Sequence, residues 1–301
     1  MLFPVSGVEC PLWLPPLVAF VLSFFTSMGG VSGAFLILPF QMSFLGFTSP
    51  AVSPTNLVYN VVAIPSGVYR YLREGRMVWP LTWIVVSGTL PGVVAGGFIR
   101  LHWLPDAKPF KVFVGCVLLY IGLRLAKDVF ASRRTAKAAG GAANAATTSD
   151  FKVRVKHFSW RRLTYEFAGQ DYTCGVPGIF ALSLAVGLVG GVYGIGGGAI
   201  VAPFFVAIYG LPVHTVAGAA LMGTFITSVA GVAFYQLVAP LYGQMAVAPD
   251  WLLGALFGLG GFCGMYLGAR AQRFVPAVWI KLMLTGLLLY VATRYIVGYF
   301  L

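Results

Sequence analysis

Two glycine-rich interruptions of long apolar runs constrain the fold of this chain more than any other feature. Residues 29–40 read GGVSGAFLILPF, and residues 193–204 read YGIGGGAIVAPF. When the chain is aligned with itself at an offset of 164, residues 30–71 fall on 194–235 without a gap and share ten identities. Chance in so apolar a chain gives about three. The sequence therefore predicts a duplicated unit of about 115 residues.

The composition predicts where these apolar runs lie. Hydrophobic residues make up 59% of the chain, charged residues make up 9%, and the mean hydropathy is +0.87. Lipid rather than a soluble core must cover so much apolar surface, and the runs have helical lengths. We therefore predict an all-α polytopic membrane protein with two repeats of five helical segments, near residues 12–28, 31–47, 51–71, 81–101, 109–127, 176–192, 195–210, 213–238, 250–269 and 278–299.

The first two segments of each repeat are short, about 16 or 17 residues, which is marginal for a full crossing. We therefore predict that the Gly-rich segments are broken or re-entrant near the midplane of the membrane. Charge then predicts the orientation of the repeats. The loop after the third segment carries Arg70, Arg73 and Arg76, whereas its counterpart at residues 236–250 carries no Lys or Arg. By the positive-inside rule the two repeats are inverted, and both termini lie outside the cytoplasmic (inner) membrane.

A basic loop separates the repeats. Of the twenty Lys and Arg residues, ten lie between residues 124 and 162, and the positive-inside rule explains this bias better than a nucleic-acid surface does. Residues 135–149 are low-complexity and are expected to be disordered. Residues 151–158 alternate apolar and basic, which predicts a small hairpin at the cytoplasmic membrane surface. The predicted divisions are a first transmembrane repeat at 1–127, a cytoplasmic loop at 128–172 and a second transmembrane repeat at 173–301.

The polar residues predict the charge of a ligand. All eight carboxylates fall in loops or at segment ends, whereas transporters of cations usually keep an acid inside the membrane. Inverted repeats with broken helices are typical of secondary transporters, in which half-helix N-termini and backbone N–H groups bind anions. We predict an anion site between the two breaks, formed by Gly29, Gly30, Ser32, Gly33, Thr55, Asn56, Asn60, Gly194, Gly196, Gly197, Gly198 and Thr224.

The motif of the second half resembles that of the TauE/SafE family of membrane anion permeases, also called the sulfite exporter or toluene sulfonate uptake family. GIGGGAIVAPF at 194–204 with Gly210 fits the family unit well, and residues 29–40 with Gly46 form a weaker version. The Thr-Ser element of the family is matched by Thr55 and Asn56, whereas the second half has two alanines there. The resemblance implies transport of sulfite or of organosulfonates such as sulfoacetate.

Each prediction has an alternative. The glycines at the two breaks could serve only close helix packing, and Asn56 and Asn60 could serve only interhelical hydrogen bonds. The chain could also be a membrane assembly or sensor protein that acts through its basic loop. An intramembrane enzyme is disfavoured, because the three histidines lie near loops and lack a catalytic partner. No metal or other cofactor is expected. The expected partners are a small anion and the bilayer, not nucleic acid, and homodimerisation is left open.

Overall fold

The computed structural model describes residues 1–28, 32–138, 153–243, 245–271 and 277–300. Ten α-helices in these ranges coincide with the ten predicted segments, which confirms a mostly helical polytopic chain. The helices are α1 (Leu14–Met28), α2 (Ala34–Ser43), α3 (Val52–Arg73), α4 (Trp79–His102), α5 (Ala107–Ala138), α6 (Val176–Tyr193), α7 (Val201–Tyr209), α8 (Val213–Val238), α9 (Trp251–Ala271) and α10 (Ala277–Phe300).

The helices differ in their ability to cross a bilayer. By length and composition, six of those in the described ranges could do so, namely α4, α5, α6, α8, α9 and α10. Helix α3 has 22 residues but carries a row of buried polar side chains. Helices α2 and α7 have only 10 and 9 residues. At about 1.5 Å per residue, each covers about half of a hydrocarbon core of about 30 Å.

Glycines bring two pairs of helices into backbone contact. A methyl group placed on Gly88 of α4 would lie 2.7 Å from the carbonyl oxygen of Phe180 on α6, and one on Gly92 would lie 2.6 Å from that of Leu184. The contacts advance together along both chains, so α4 and α6 run in the same direction. A similar row of glycines lies between α9 and α1. Here Gly260, Gly264 and Gly268 lie against the carbonyl groups of Pro16, Phe20 and Phe24.

Helices α3 and α8 cross between these pairs and run in opposite directions. Gly231 of α8 lies against Leu57 early in α3, and Gly67 late in α3 lies against Leu221 early in α8. Helix α3 also packs along α9 in the same chain direction, through the contacts Gly254 to Val58 and Gly258 to Val62. Helix α8 packs along α4 in the same way, through the contacts Gly223 to Val85 and Gly231 to Val93.

Helices α5 and α10 form an antiparallel pair. Gly115 of α5 lies against Ala292 and Tyr295 of α10, whereas Gly122, two turns further along α5, lies against Leu288 and Leu289. Helix α5 also continues to Ala138, well past the predicted segment end at residue 127. Its final turns read ASRRTAKA. Ala, Arg and Lys have a high intrinsic helix propensity, which does not depend on apolar contacts. The predicted division at residue 127 therefore falls inside a helix, and most of the predicted disorder at 135–149 lies outside the described residues.

The basic loop contains a three-stranded antiparallel sheet in the order β1 (Arg154–Phe158), β2 (Arg162–Phe167) and β3 (Gln170–Gly175). The predicted hairpin is confirmed as β1 and β2, and β3 is an addition that the sequence did not predict. Strand β2 buries Tyr165, whose hydroxyl lies 2.9 Å from Thr215 Oγ1 at the start of α8. Burial raises the pKa of Tyr165 to about 12. The sheet is thus anchored to the helical part of the protein.

Candidate functional site

The Gly-rich break of the second half is a turn that only glycine adopts easily. Helix α6 ends at Tyr193, and Gly194 and Gly196 follow with φ angles of 82° and 80°. These angles lie in the left-handed region, where the backbone of any residue with a Cβ atom is strained. The chain then makes a 3-10 turn at Gly197–Ile200 before α7 begins. A continuous helix through this segment is therefore excluded.

The break lies between α4 and α8 with almost no free space. A methyl group on Gly197 would lie 2.6 Å from Thr89 Cβ on α4. One on Gly198 would lie 2.6 Å from the backbone nitrogen of Thr224 on α8. These two glycines therefore have the packing role that the sequence left open. Their backbone comes within contact distance of both neighbouring helices.

Asn56 and Asn60 bind the break from the side of α3. Asn56 Nδ2 donates to the carbonyl oxygen of Gly194 at 2.8 Å and to that of Ala34 at 3.3 Å. Asn60 Nδ2 donates to the carbonyl oxygen of Ile195 at 2.9 Å, and its Oδ1 accepts from Ser32 Oγ at 3.3 Å. The two amides therefore join the start of α2 to the break after α6. Asn56 and Asn60 lie one turn apart and therefore share one face of α3.

The threonines near the break are also engaged. Thr224 Oγ1 donates to the carbonyl oxygen of Ala220 at 2.8 Å, and Gly197 N donates to Thr227 Oγ1 at 3.1 Å. Thr55 Oγ1 donates to Ala51 O and accepts from the backbone nitrogen of Asp250 at 2.9 Å. Thr55 thus faces the start of α9 instead of the break.

The structure brings most of the predicted site residues together in two groups. Ser32, Asn56, Asn60 and Gly194 are linked by hydrogen bonds, and Gly196, Gly197, Gly198 and Thr224 are packed on the other side of the break. Gly33 follows Ser32 directly, and its α-carbon packs against the hydroxyl groups of Tyr59 and Ser23. Gly29 and Gly30 lie outside the described residues. In this conformation the amide nitrogens of both asparagines donate to protein carbonyls, so they hold the break in place.

Arg100 is a buried cation that the sequence analysis missed. It lies in the last turns of α4, its side chain is 0% exposed, and its Cζ sits 3.7 Å from the centre of the Phe110 ring. None of its three guanidinium nitrogens has a hydrogen-bond partner in the described parts of the chain. A signal was present, since Gly88, Gly92, Gly96 and Arg100 recur at every fourth position and so share one helix face.

Two further buried hydroxyls lie near Arg100. Tyr235 of α8 interacts electrostatically with Arg100, and its hydroxyl lies within reach of Ser53 Oγ on α3. Beyond this mutual contact, neither hydroxyl has a hydrogen-bond partner among the described residues. The Cα of Ser53 in turn lies against Gly194. A row of buried polar groups, namely the guanidinium and two hydroxyls, therefore leads from the end of α4 to the break.

No carboxylate among the described residues balances this charge by contact. Asp106, which follows α4, is the acid that interacts with Arg100 electrostatically, but it accepts no hydrogen bond from the guanidinium. A buried and unpaired cation costs several kcal/mol. Buried polar groups without a partner call for an explanation such as an absent ion. An anion is the partner that this arrangement can bind.

Comparison with known proteins gives two findings. A family model described as "Sulfite exporter TauE/SafE" matches residues 16–295. The chain is also similar to the "Probable membrane transporter protein YunE" of Bacillus subtilis (strain 168), with 22% identity over 279 residues that cover 90% of this chain and 92% of the relative. No solved structure matches the chain.

Proposed function

Because the chain belongs to the TauE/SafE family and is a membrane transporter, we propose that it carries small sulfur-containing anions, sulfite or organosulfonates such as sulfoacetate, across the cytoplasmic membrane. The observation that carries the choice of an anion is the fully buried guanidinium of Arg100, to which no other described residue is hydrogen-bonded. Transport is secondary and involves no covalent chemistry. The family name supports sulfite, and the donor-rich interior supports oxyanions in general.

Sulfite and sulfonates suit this interior for a chemical reason. Each has three oxygens on one sulfur, so it can accept hydrogen bonds from several donors at once. The planar fork of Arg100 supplies two parallel N–H donors, and the hydroxyls of Tyr235 and Ser53 supply more. A sulfonate also stays ionised at every physiological pH. Its charge therefore offsets that of the buried guanidinium throughout the pH range of a cell.

The two halves are proposed to form inverted repeats. Helix directions support this, because α1, α3 and α9 share one direction, α4, α6 and α8 share another, and α3 opposes α8. The corresponding helices α1 and α6, α3 and α8, and α4 and α9 therefore run oppositely. If each helix is replaced by its counterpart in the other half, the pair α1 and α9 becomes the pair α6 and α4. Both pairs are in contact in the structure. A change in conformation that rocks one half against the other would expose the breaks alternately to each side.

The substrate site is proposed to lie at the breaks, next to Arg100. Its proposed lining is the break at residues 194–198 together with Ser32, Asn56, Asn60 and Thr224, whereas Thr55 faces the start of α9 and Gly29 and Gly30 lie outside the described residues. In the described conformation the amides of Asn56 and Asn60 bind the carbonyls of Gly194, Ala34 and Ile195. We therefore expect these amides to reach the anion only when the break moves. Arg100 would hold the anion on its way to the break.

Labelling of single cysteines tests the inverted topology. Arg73→Cys lies at the exposed last residue of α3, and Gly243→Cys lies at an exposed position where an added Cβ contacts nothing within 4 Å. Both are placed in a variant without the four native cysteines, because Cys116 and Cys263 are exposed. A membrane-impermeant maleimide should label Gly243→Cys in intact cells, and Arg73→Cys only after the cells are opened. Labelling of both sites in intact cells would contradict the inversion.

Ligand-dependent stability of the purified protein tests the substrate class. Sulfite, thiosulfate, sulfoacetate, taurine, sulfate and simple carboxylates are compared with cationic amines in a thermal-shift assay. A ligand that binds the folded state at 100 times its Kd stabilises it by about 2.7 kcal/mol. We expect at least one sulfur oxyanion to raise the melting temperature and no amine to do so. Stabilisation by amines alone would contradict an anion site, and no response to any small solute would favour an assembly or sensor protein.

A further inference from the structure

A cleft whose lining differs chemically from the surroundings of Arg100 lies on the surface of α10. It has a volume of about 560 Å³ and opens between α1, α2, the start of α5 and α10. It is separated from Arg100 by the first turn of α5, because Phe110 of that turn is buried against Arg100 whereas Lys108 and Lys111 line the cleft. The cleft is therefore distinct from the buried anion site.

One end of the cleft is strongly cationic. Lys108 and Lys111 lie one turn apart at the start of α5, and Arg294 approaches from the antiparallel helix α10. Lys111 Nζ is 5.9 Å from the centre of the Tyr295 ring. No Asp or Glu is among the residues that line the cleft. Three positive charges therefore meet without a lining acid.

The rest of the cleft is apolar. Its walls are formed by Val18, Leu22, Leu36, Phe40, Leu287 and Val291. The polar pair Ser43 and Tyr295 is satisfied internally, because their hydroxyls lie 2.8 Å apart and Tyr295 also donates to Pro39 O at 3.0 Å. Val291 and Leu287 lie one and two turns before Arg294 along α10. The apolar walls thus extend from the cationic end toward the middle of the membrane.

We propose that this cleft binds an anionic phospholipid, with the phosphate at Lys108, Lys111 and Arg294 and an acyl chain along the apolar walls. Phe44, Tyr290 and Tyr299 at the cleft are exposed, as expected for a lipid-facing surface with aromatic residues near the headgroups. A small hydrophilic anion would use the cationic end but would leave the apolar walls uncovered. A zwitterionic lipid would fill the walls but would place its own cation among three others.

Lipid-dependent stability and lipid retention test this proposal on the full chain in detergent. Dioleoyl phosphatidylglycerol should raise the melting temperature and stay bound in native mass spectrometry, and dioleoyl phosphatidylcholine and glycerol 3-phosphate should not. The triple variant Lys108→Gln, Lys111→Gln, Arg294→Gln should bind phosphatidylglycerol about 100-fold more weakly. Lys127→Gln is the matched control, because Lys127 is exposed on the same helix far from the cleft. It should leave the response unchanged.

A second variant tests the apolar walls and leaves all three cations in place. Gly298 lines the cleft, and an added Cβ there meets nothing within 4 Å. Gly298→Phe should therefore fold normally, narrow the cleft and weaken phosphatidylglycerol binding at least tenfold. Equal stabilisation by phosphatidylcholine, an unchanged response in the triple variant or in Gly298→Phe, or full stabilisation by glycerol 3-phosphate would each overturn the proposal. Because none of these readouts uses transport, their failure is separate from failure of the proposed function.

Discussion

Arg100→Met should abolish the stabilisation of the protein by sulfur oxyanions without lowering the melting temperature of the protein in the absence of ligand. Each hydrogen bond between a guanidinium and an anion contributes about 1.5–3 kcal/mol, and tenfold in affinity corresponds to about 1.4 kcal/mol. Loss of a bidentate contact should therefore weaken binding at least 100-fold. Methionine keeps the unbranched shape over the Phe110 ring and removes a buried charge that nothing described neutralises, so the empty protein should melt at the same temperature or higher.

The matched control is Arg270→Met. Arg270 also lies near the end of a long helix, but it is exposed and stacks on Tyr266 with its Cζ 5.2 Å from the ring centre. Its replacement should leave the anion response intact. Arg100→Lys keeps the charge but loses the planar fork, so an intermediate affinity is expected. If Arg100→Met binds anions with normal affinity, Arg100 is not part of the binding site. Only the family membership would then support an anionic substrate.

Gly92→Ala and Gly264→Ala should each destabilise the fold by about 1–3 kcal/mol, the usual cost of overpacking. A methyl group on Gly92 would meet the backbone oxygen of Leu184 at 2.6 Å and the backbone nitrogen of Leu188 at 2.7 Å, so α4 and α6 would have to separate. Gly264 lies against the carbonyl group of Phe20 in the corresponding contact of α9 with α1. Thermal unfolding followed by fluorescence-detected size exclusion measures both effects.

The control for these variants is Gly286→Ala on α10. An added Cβ at Gly286 meets nothing within 4 Å, so the change should be neutral or should stabilise the helix by about 0.5–1 kcal/mol. If Gly92→Ala and Gly264→Ala melt at the same temperature as Gly286→Ala, close backbone contact does not hold these helices together. If only one of the two destabilises the protein, the equivalence of the two halves is lost.

The sequence predicted the helices better than their ends. Long apolar runs identify helices reliably in lipid, where the backbone has few alternatives. Helix α2 begins at Ala34 and ends at Ser43, inside the predicted segment 31–47, because hydropathy does not distinguish an apolar helix from the apolar turn around it. Helix α5 extends to Ala138 for the opposite reason. Its last turns are polar but have high helix propensity.

The candidate site was predicted unevenly. The spacing of Asn56 and Asn60 places them on one helix face, and both bind the break after α6. Sequence alone could not show that these amide nitrogens are engaged, because the acceptors in the break are carbonyls more than 130 positions away. Arg100 was not among the predicted site residues, because it lies at the end of the predicted segment 81–101, next to a loop. Its burial follows from tertiary packing against Phe110, which hydropathy does not record.

Transport into proteoliposomes tests the central claim most directly. The purified protein is reconstituted, and an imposed gradient of labelled sulfite or sulfoacetate drives uptake, with Arg100→Met vesicles prepared in parallel. The account predicts saturable uptake by the wild-type protein that related sulfonates compete and amines do not, and at least a 100-fold loss of uptake efficiency in Arg100→Met. Absence of uptake for every sulfur anion, or competition by cationic amines alone, would contradict it.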